Sequence, residues 1–311
     1  MTIERAHVLA KPKPWGVADL RPWSDFDHQT DLIGELSFER EVGRDPDTSL
    51  LLKLLFTSAP LSIQVHPNDA YARSIGLPNG KTEAWYILSA APDAQIALGL
   101  KQSITPQHLR WAIDDGSISE LVAWQSVKAH DIVTVPAGTI HAIGAGIVIA
   151  EIQQRSDVTF RLFDHGRGRP LDVDRGMAAA RLGPVGESAR PKQLTDERKL
   201  LVATSDFVFE HVRLAPGSAW RLDAERETWL FALGGNITAG SINLVQGEAI
   251  LGQSECFEIR AGRLGVECLL AYTGHGGPIT QLLTPVAAPN SKWQRQPGVT
   301  KASVASIRPG P

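Results

Sequence analysis

Cysteine is scarce in this chain of 311 residues: only Cys256 and Cys268 occur. Both lie far along the sequence from its polar motifs, which argues against a disulfide framework and a thiolate metal site, and suits buried free thiols in a reducing compartment. Long apolar runs are missing too. Residues 1–7 carry charges of both signs and no later stretch reaches membrane-spanning length, so a soluble, cytoplasmic protein without membrane association is expected. An excess of one charge is also absent: 31 Lys and Arg against 34 Asp and Glu give a net charge of -3. General attraction to nucleic acid or an anionic membrane is thereby excluded, and recognition of a phosphate would rest on a few local cations. Low-complexity tracts and short repeats are lacking.

What is present is a 43% hydrophobic content, ample for a core. Its apolar segments are short and interrupted by Gly, Pro, Asn and Asp at intervals that suit strands. Strands are expected at 50–56, 61–65, 84–89, 96–100, 131–135, 147–153 and 159–163, and again at 207–214, 228–233, 242–245, 248–251, 256–259 and 267–272. Helical signals are confined to 105–114, opened by Thr105-Pro106 as cap and first-turn proline, and to 172–182. The Gly-, Pro- and charge-rich stretch between Arg181 and Lys199 predicts a boundary, giving units 1–190 and 191–311. Residues 290–311 carry few large apolar groups and are expected to be loosely ordered unless docked.

Two polar motifs stand out: Gln64-Val65-His66-Pro67, followed by Lys81-Thr82-Glu83, and Pro136-Ala137-Gly138-Thr139-Ile140-His141. In extended backbone, residues two apart share a face, so Gln64 and His66 can reach one interior point, as can Lys81 and Glu83. A turn at Gly138 can aim His141 inward. Gln, His, Glu and His together supply the oxygen and nitrogen donors that hold a divalent metal. Glu151 lies on an apolar strand with Arg161 ten residues on, and buried charges of this kind have partners or a function. After His165 only His211 and His275 remain, so the second half lacks the donor pattern.

These motifs, extended as Ser62 to Asp69, Gly80-Lys81-Thr82-Glu83-Ala84-Trp85-Tyr86, Pro136 to Ala142 and Glu151-Ile152-Gln153-Gln154, resemble successive motifs of type I mannose-6-phosphate isomerases, zinc-dependent cupin enzymes. The likeness is densest from Lys53 to Arg161 and extends thinly to Lys13-Pro14-Trp15-Gly16 and the later β half. It implies a mainly β fold of two cupin-like antiparallel β-barrel or jelly-roll units with a few surface helices. The first unit would be catalytic and the second metal-free. By position it implies one Zn2+ held by Gln64, His66, Glu83 and His141, a substrate cavity lined by Lys81, Glu151 and Arg161, and a phosphate near Lys53 and Ser62. Asn68 stands where many relatives have an acid, and Arg155 interrupts a run that is often Gln-Gln-Asn-Ser-Asp. The large helical insertion of the longer relatives has no room here, as in the compact bacterial form.

The resemblance implies an aldose-ketose isomerase passing through an enediol, with Arg161 steadying charge and Glu151 or Lys81 moving the proton. A phosphosugar is then the small-molecule partner. Two other readings share the same residues: a metal-dependent cupin oxygenase, which needs an open iron site, and a phosphosugar-binding module without turnover.

Overall fold

The strand Leu50–Thr57 is buried along its whole length, and its alternation explains the layering of the molecule. Leu50, Leu52, Leu54 and Phe56 enter one core with Phe207, Phe209, Trp229 and Phe231 from the second half of the chain. Leu55 points the other way, into a core with Trp85, Ile96, Ile143 and Ile149. A strand covered on both faces reads as a continuous apolar run, and here Lys53 is its only charged member. The computed structural model describes residues 2–26, 31–40, 48–186 and 190–286.

Three antiparallel sheets are formed among the described residues. A six-stranded sheet runs His7–Val17, Ile33–Glu39, Leu50–Thr57, Ile147–Gln154, Glu83–Ala90, Ile132–Val135. A five-stranded sheet runs Phe160–Phe163, Ile63–Val65, His141–Ile143, Gln95–Leu100, Val122–Ser126. Their inner faces meet over the core around Trp85, Ile96 and Ile149. The second half supplies nine strands of a ten-stranded sheet, and Thr2–Arg5 adds the tenth beside Ala249–Gln253. Thus the fold is mainly β, cupin-like, with helices on its surface.

The helix Pro106–Asp114 begins as expected, with the Thr105 side chain accepting the His108 N–H. Val173–Ala179 is shorter than the helix expected at 172–182, because Ala180 already has extended backbone. Together with Ile118–Leu121 these helices cover the outer face of the five-stranded sheet, where Leu109, Ile113 and Ile118 pack on Ile63, Val65 and Phe160. The separate strands expected at 256–259 and 267–272 are one strand, Glu255–Thr273. The glycines between them serve a distorted pairing with Thr228–Ala239, which shifts register between Ala232 and Gly234 and between Gly235 and Ile237, rather than a chain reversal.

Cys268 is buried, but Cys256 is exposed, contrary to the expectation for it. Among the described residues no helix is long and apolar enough to cross a membrane. The expectation for 290–311 falls outside the described residues.

Candidate active site

Two cross-strand rows on facing sheets build the site. In the six-stranded sheet, Glu151 stands directly opposite Lys53 on one side and Trp85 on the other. In the five-stranded sheet, Gln64 stands opposite His141 on one side and Arg161 on the other. Because side chains alternate between faces, both rows present these groups inward, and residues scattered over about a hundred positions become neighbours. Glu83 opens its strand two residues before Trp85 and shares that inward face, while His66 follows the end of Ile63–Val65.

His66, Glu83 and His141 are buried, and their donor atoms all lie within 4.8 Å of one another. His141 Nε2 is 3.3 Å from Glu83 Oε1, and His66 Nε2 is 3.5 Å from Glu83 Oε2. His66 Nδ1 lies 2.7 Å from the Val158 carbonyl, and His141 Nδ1 lies 2.9 Å from the Thr139 carbonyl. A carbonyl can only accept, so each Nδ1 carries the proton and each Nε2 turns a lone pair toward Glu83. Burial, assisted by the Lys81 charge, holds His66 well below the usual histidine pKa. For His141 burial prevails over the Thr139 hydrogen bond and brings the pKa to about 4. Both rings are therefore neutral at pH 7.

Lone pairs thus converge on a carboxylate with no proton between them. His66 Nε2 and both Glu83 oxygens lack hydrogen-bond partners, and Lys81 Nζ, 2.8 Å from Glu83 Oε2, supplies an ionic contact to one side. Such a set in a dry interior is unfavourable by itself and suits a cation placed among the donors. Gln64 completes it: Nε2 is 3.3 Å from His141 Nε2, and Oε1 accepts the Ser62 hydroxyl at 3.1 Å. Turning the amide by half a revolution brings Oε1 to the cluster and Nε2 to Ser62, whose hydroxyl serves either orientation. These residues fit a divalent metal.

Beside the cluster opens a cavity of about 380 Å³, lined by Lys53, Ser62, Lys81, Glu151 and Arg161 among others. Burial, reinforced by Glu83 and opposed by Lys81, pushes Glu151 up to about 7. Burial alone would depress Lys81, but Glu151 and Glu83 outweigh it and keep the ammonium above the usual lysine range. Arg161 donates to the Pro170 carbonyl at 2.7 Å, and its Nε is 4.0 Å from Asp164 Oδ1. Lys53 is already engaged, 2.8 Å from Asp157 and 3.4 Å from Glu35.

Every side chain given a metal, catalytic or phosphate role from the sequence therefore lies in the cluster or along this cavity. Sequence reasoning missed Lys11, Lys13, Glu35, Asp157 and Arg169, which line the same space. Lys11 and Lys13 have the two-residue spacing of a shared face, but interleaved prolines mask the strand that carries them. Asn68 and Arg155 stand outside the cavity lining: Asn68 caps the helix Asp69–Ser74, and Arg155 bonds Thr48.

No family model matches the chain. It is similar in sequence to mannose-6-phosphate isomerase ManA of Bacillus subtilis, 41% identical over 143 residues, which are 46% of this chain and 43% of that protein. It is likewise similar to a mannose-6-phosphate isomerase of Streptococcus mutans, 41% identical over 140 residues, covering 43% of this chain and 44% of that one. The chain thus spans less than half the length of these curated relatives. In structure it is similar to the mannose 6-phosphate isomerase of Bacillus subtilis, with TM-score 0.75 and 22% identity over 88% of this chain and 100% of that one. A putative mannosephosphate isomerase of Archaeoglobus fulgidus follows with TM-score 0.69 and 16% identity, over 87% of this chain and 97% of that one. The resemblance stated from the motifs is found again in the sequence relatives, and the solved structures share the fold.

Proposed function

We propose that this protein interconverts mannose 6-phosphate and fructose 6-phosphate, with a zinc ion held by Gln64, His66, Glu83 and His141. The convergence of the His66 and His141 lone pairs on a buried Glu83, beside a cavity holding both a carboxylate and several cations, carries this reading. The names of the sequence relatives supply the substrate class. In this reading residues 1–190 form the catalytic unit, and 191–311 form a metal-free unit that braces it through the shared core. The free cysteines support a reducing compartment, and we place the protein in the cytoplasm.

When bound, the metal polarises the oxygens of the open-chain sugar and contributes several kcal/mol of charge stabilisation. The protein's own groups then divide the work. Glu151, whose only hydrogen bond among the described residues uses Oε1, offers its other oxygen to the proton on C2 of the aldose. As that proton leaves, the C–H electron pair forms the C1–C2 double bond and the carbonyl pair moves onto O1. Delivery of the proton to C1, with transfer of the O2 hydroxyl proton to O1 and re-formation of the carbonyl at C2, gives the ketose. A positioned base contributes about 10²- to 10⁴-fold to such a step. Lys81 stays an ammonium and, with Arg161, steadies the negative charge of the enediol stage. Lys53 and Ser62 take the phosphate, Lys53 exchanging Asp157 for the incoming anion.

The test is an assay of mannose 6-phosphate conversion before chelation, after it, and after add-back of single metals. Loss on chelation and recovery with zinc are expected. Absence of both conversion and hydrogen exchange at C2, with metal fully loaded, would overturn the reading in favour of a binding module. Oxygen uptake that needs ferrous iron would favour an oxygenase.

A further inference from the structure

Trp85 is completely buried, and it touches both halves of the site. Its indole N–H donates to Glu151 Oε1 at 3.0 Å. Its ring meets the His141 ring edge-on, with centroids 5.6 Å apart and planes at 67°. The two contacts follow from register, since Trp85 is the direct cross-strand partner of Glu151 and lies two residues beyond Glu83 on the same face. Trp85 also lines the cavity, with Leu55, Ile87 and Ile149 in the same core.

A core position here would be filled equally well by a phenylalanine. A buried indole differs in one respect: its N–H needs an acceptor, and the acceptor chosen is the carboxylate that faces the cavity. That bond also removes a freedom. A glutamate in an apolar wall can rotate about its terminal bonds, whereas one anchored oxygen fixes the plane of the carboxylate and the direction of the other oxygen.

We propose that Trp85 is a positioning residue, whose indole N–H orients the Glu151 carboxylate for proton transfer while its ring seats His141. This rests on the reading of Glu151 as the base. In this role Trp85 acts through Glu151.

The experiment is a double-mutant cycle on the full-length, metal-loaded protein: Trp85→Phe, Glu151→Gln and both together, with kcat, KM and bound metal measured for each. Trp85→Phe is expected to lower kcat about 10- to 100-fold, the scale set by loss of orientation at a reacting group, with KM and metal content unchanged. In the Glu151→Gln background the same change should alter the residual kcat less than about twofold, since groups that act as a unit are not additive. Incorporation of benzothienylalanine at position 85, which keeps the ring shape and replaces the N–H with sulfur, should reproduce the kcat loss even where phenylalanine disturbs folding. A normal kcat with that analogue, or an equal loss in both backgrounds, would overturn the positioning role while leaving the base assignment standing. A Glu151→Gln variant as fast as the wild type would overturn the base assignment and the positioning role together.

Discussion

Glu227, in the second half of the chain, accepts the backbone N–H of Leu50 at 3.0 Å, at the root of the strand that carries Lys53 into the cavity. The same carboxylate accepts the Ser49 N–H and, at 2.9 Å, the Trp229 indole N–H. It is buried, as are Leu50 and Trp229, whose N–H groups have no water to replace it. The second half therefore fixes where a cavity-lining strand begins.

Glu227→Ala should cost about 2–4 kcal/mol, because each buried donor left unsatisfied carries a penalty of roughly 1–3 kcal/mol, partly relieved by relaxation. Urea unfolding measures this. Glu227→Gln keeps one acceptor oxygen and is expected to fall between the wild type and alanine. A loss below about 0.5 kcal/mol for alanine, the range of ordinary surface changes, would show that the clamp contributes nothing.

Glu35 predicts an acid-dependent term. Burial alone would raise its pKa, but Lys53, Lys13 and Lys11 outweigh burial and hold it well below the usual carboxylate range. Lys11 Nζ is 3.0 Å away and Lys13 Nζ 3.4 Å. A depressed folded-state pKa means that the unfolded chain binds the proton more readily, so the stabilisation is complete above the unfolded value near 4.5 and is lost as pH falls toward the folded one. Glu35→Gln should therefore unfold more easily than the wild type at pH 7, with the difference shrinking below about pH 4. Thermal midpoints across pH 3–8 test the sign, and a difference that grows in acid would refute it.

What could be read from the sequence divides along a physical line. Gln64 with His66, and Lys81 with Glu83, were visible because residues two apart share a face whatever the partner strand is. The grouping of Lys11, Lys13, Glu35 and Asp157 was not, since it depends on how His7–Val17 and Ile33–Glu39 register against Leu50–Thr57. Pro12 and Pro14 hid the first of these strands; as an edge strand it tolerates them, with the pairing shifting register between Lys11 and Pro12. The Trp85–Glu151 bond is again a matter of register, and local spacing carries no trace of it.

Gly80 ties the two halves of the metal motif together by close approach. A Cβ there would stand 2.6 Å from the backbone of Pro67, Asn68 and Asp69. The segments are also bonded: Gly80 N–H donates to Asp69 Oδ1 at 2.8 Å, and Lys81 N–H to the Pro67 carbonyl at 3.0 Å. Gly80→Ala must push the His66 and Glu83 segments apart. The expected result is a loss of about 1–3 kcal/mol from overpacking and a 10- to 100-fold fall in metal affinity, the scale seen when groups supporting ligands are disturbed. Competition with a metal-sensitive dye measures the affinity, and an unchanged value would mean that the two segments are positioned independently.

Metal binding and folding should be coupled through the buried donors. Without a cation, His66 Nε2 and His141 Nε2 confront the oxygens of Glu83 at 3.5 and 3.3 Å, and His66 Nε2 has no hydrogen-bond partner. An ion that binds this arrangement and ignores the unfolded chain adds RT ln(1 + [L]/Kd), about 2.7 kcal/mol at a hundredfold excess over Kd. Chelation of the wild-type protein should therefore lower the thermal midpoint by several degrees, and zinc should restore it. In Glu83→Gln and His141→Ala the response to both treatments should nearly vanish, because each variant removes a donor that the others cannot replace. Elemental analysis of the same samples supplies the control: a variant that still binds one equivalent of metal and still shifts its midpoint like the wild type would show that the ion sits elsewhere.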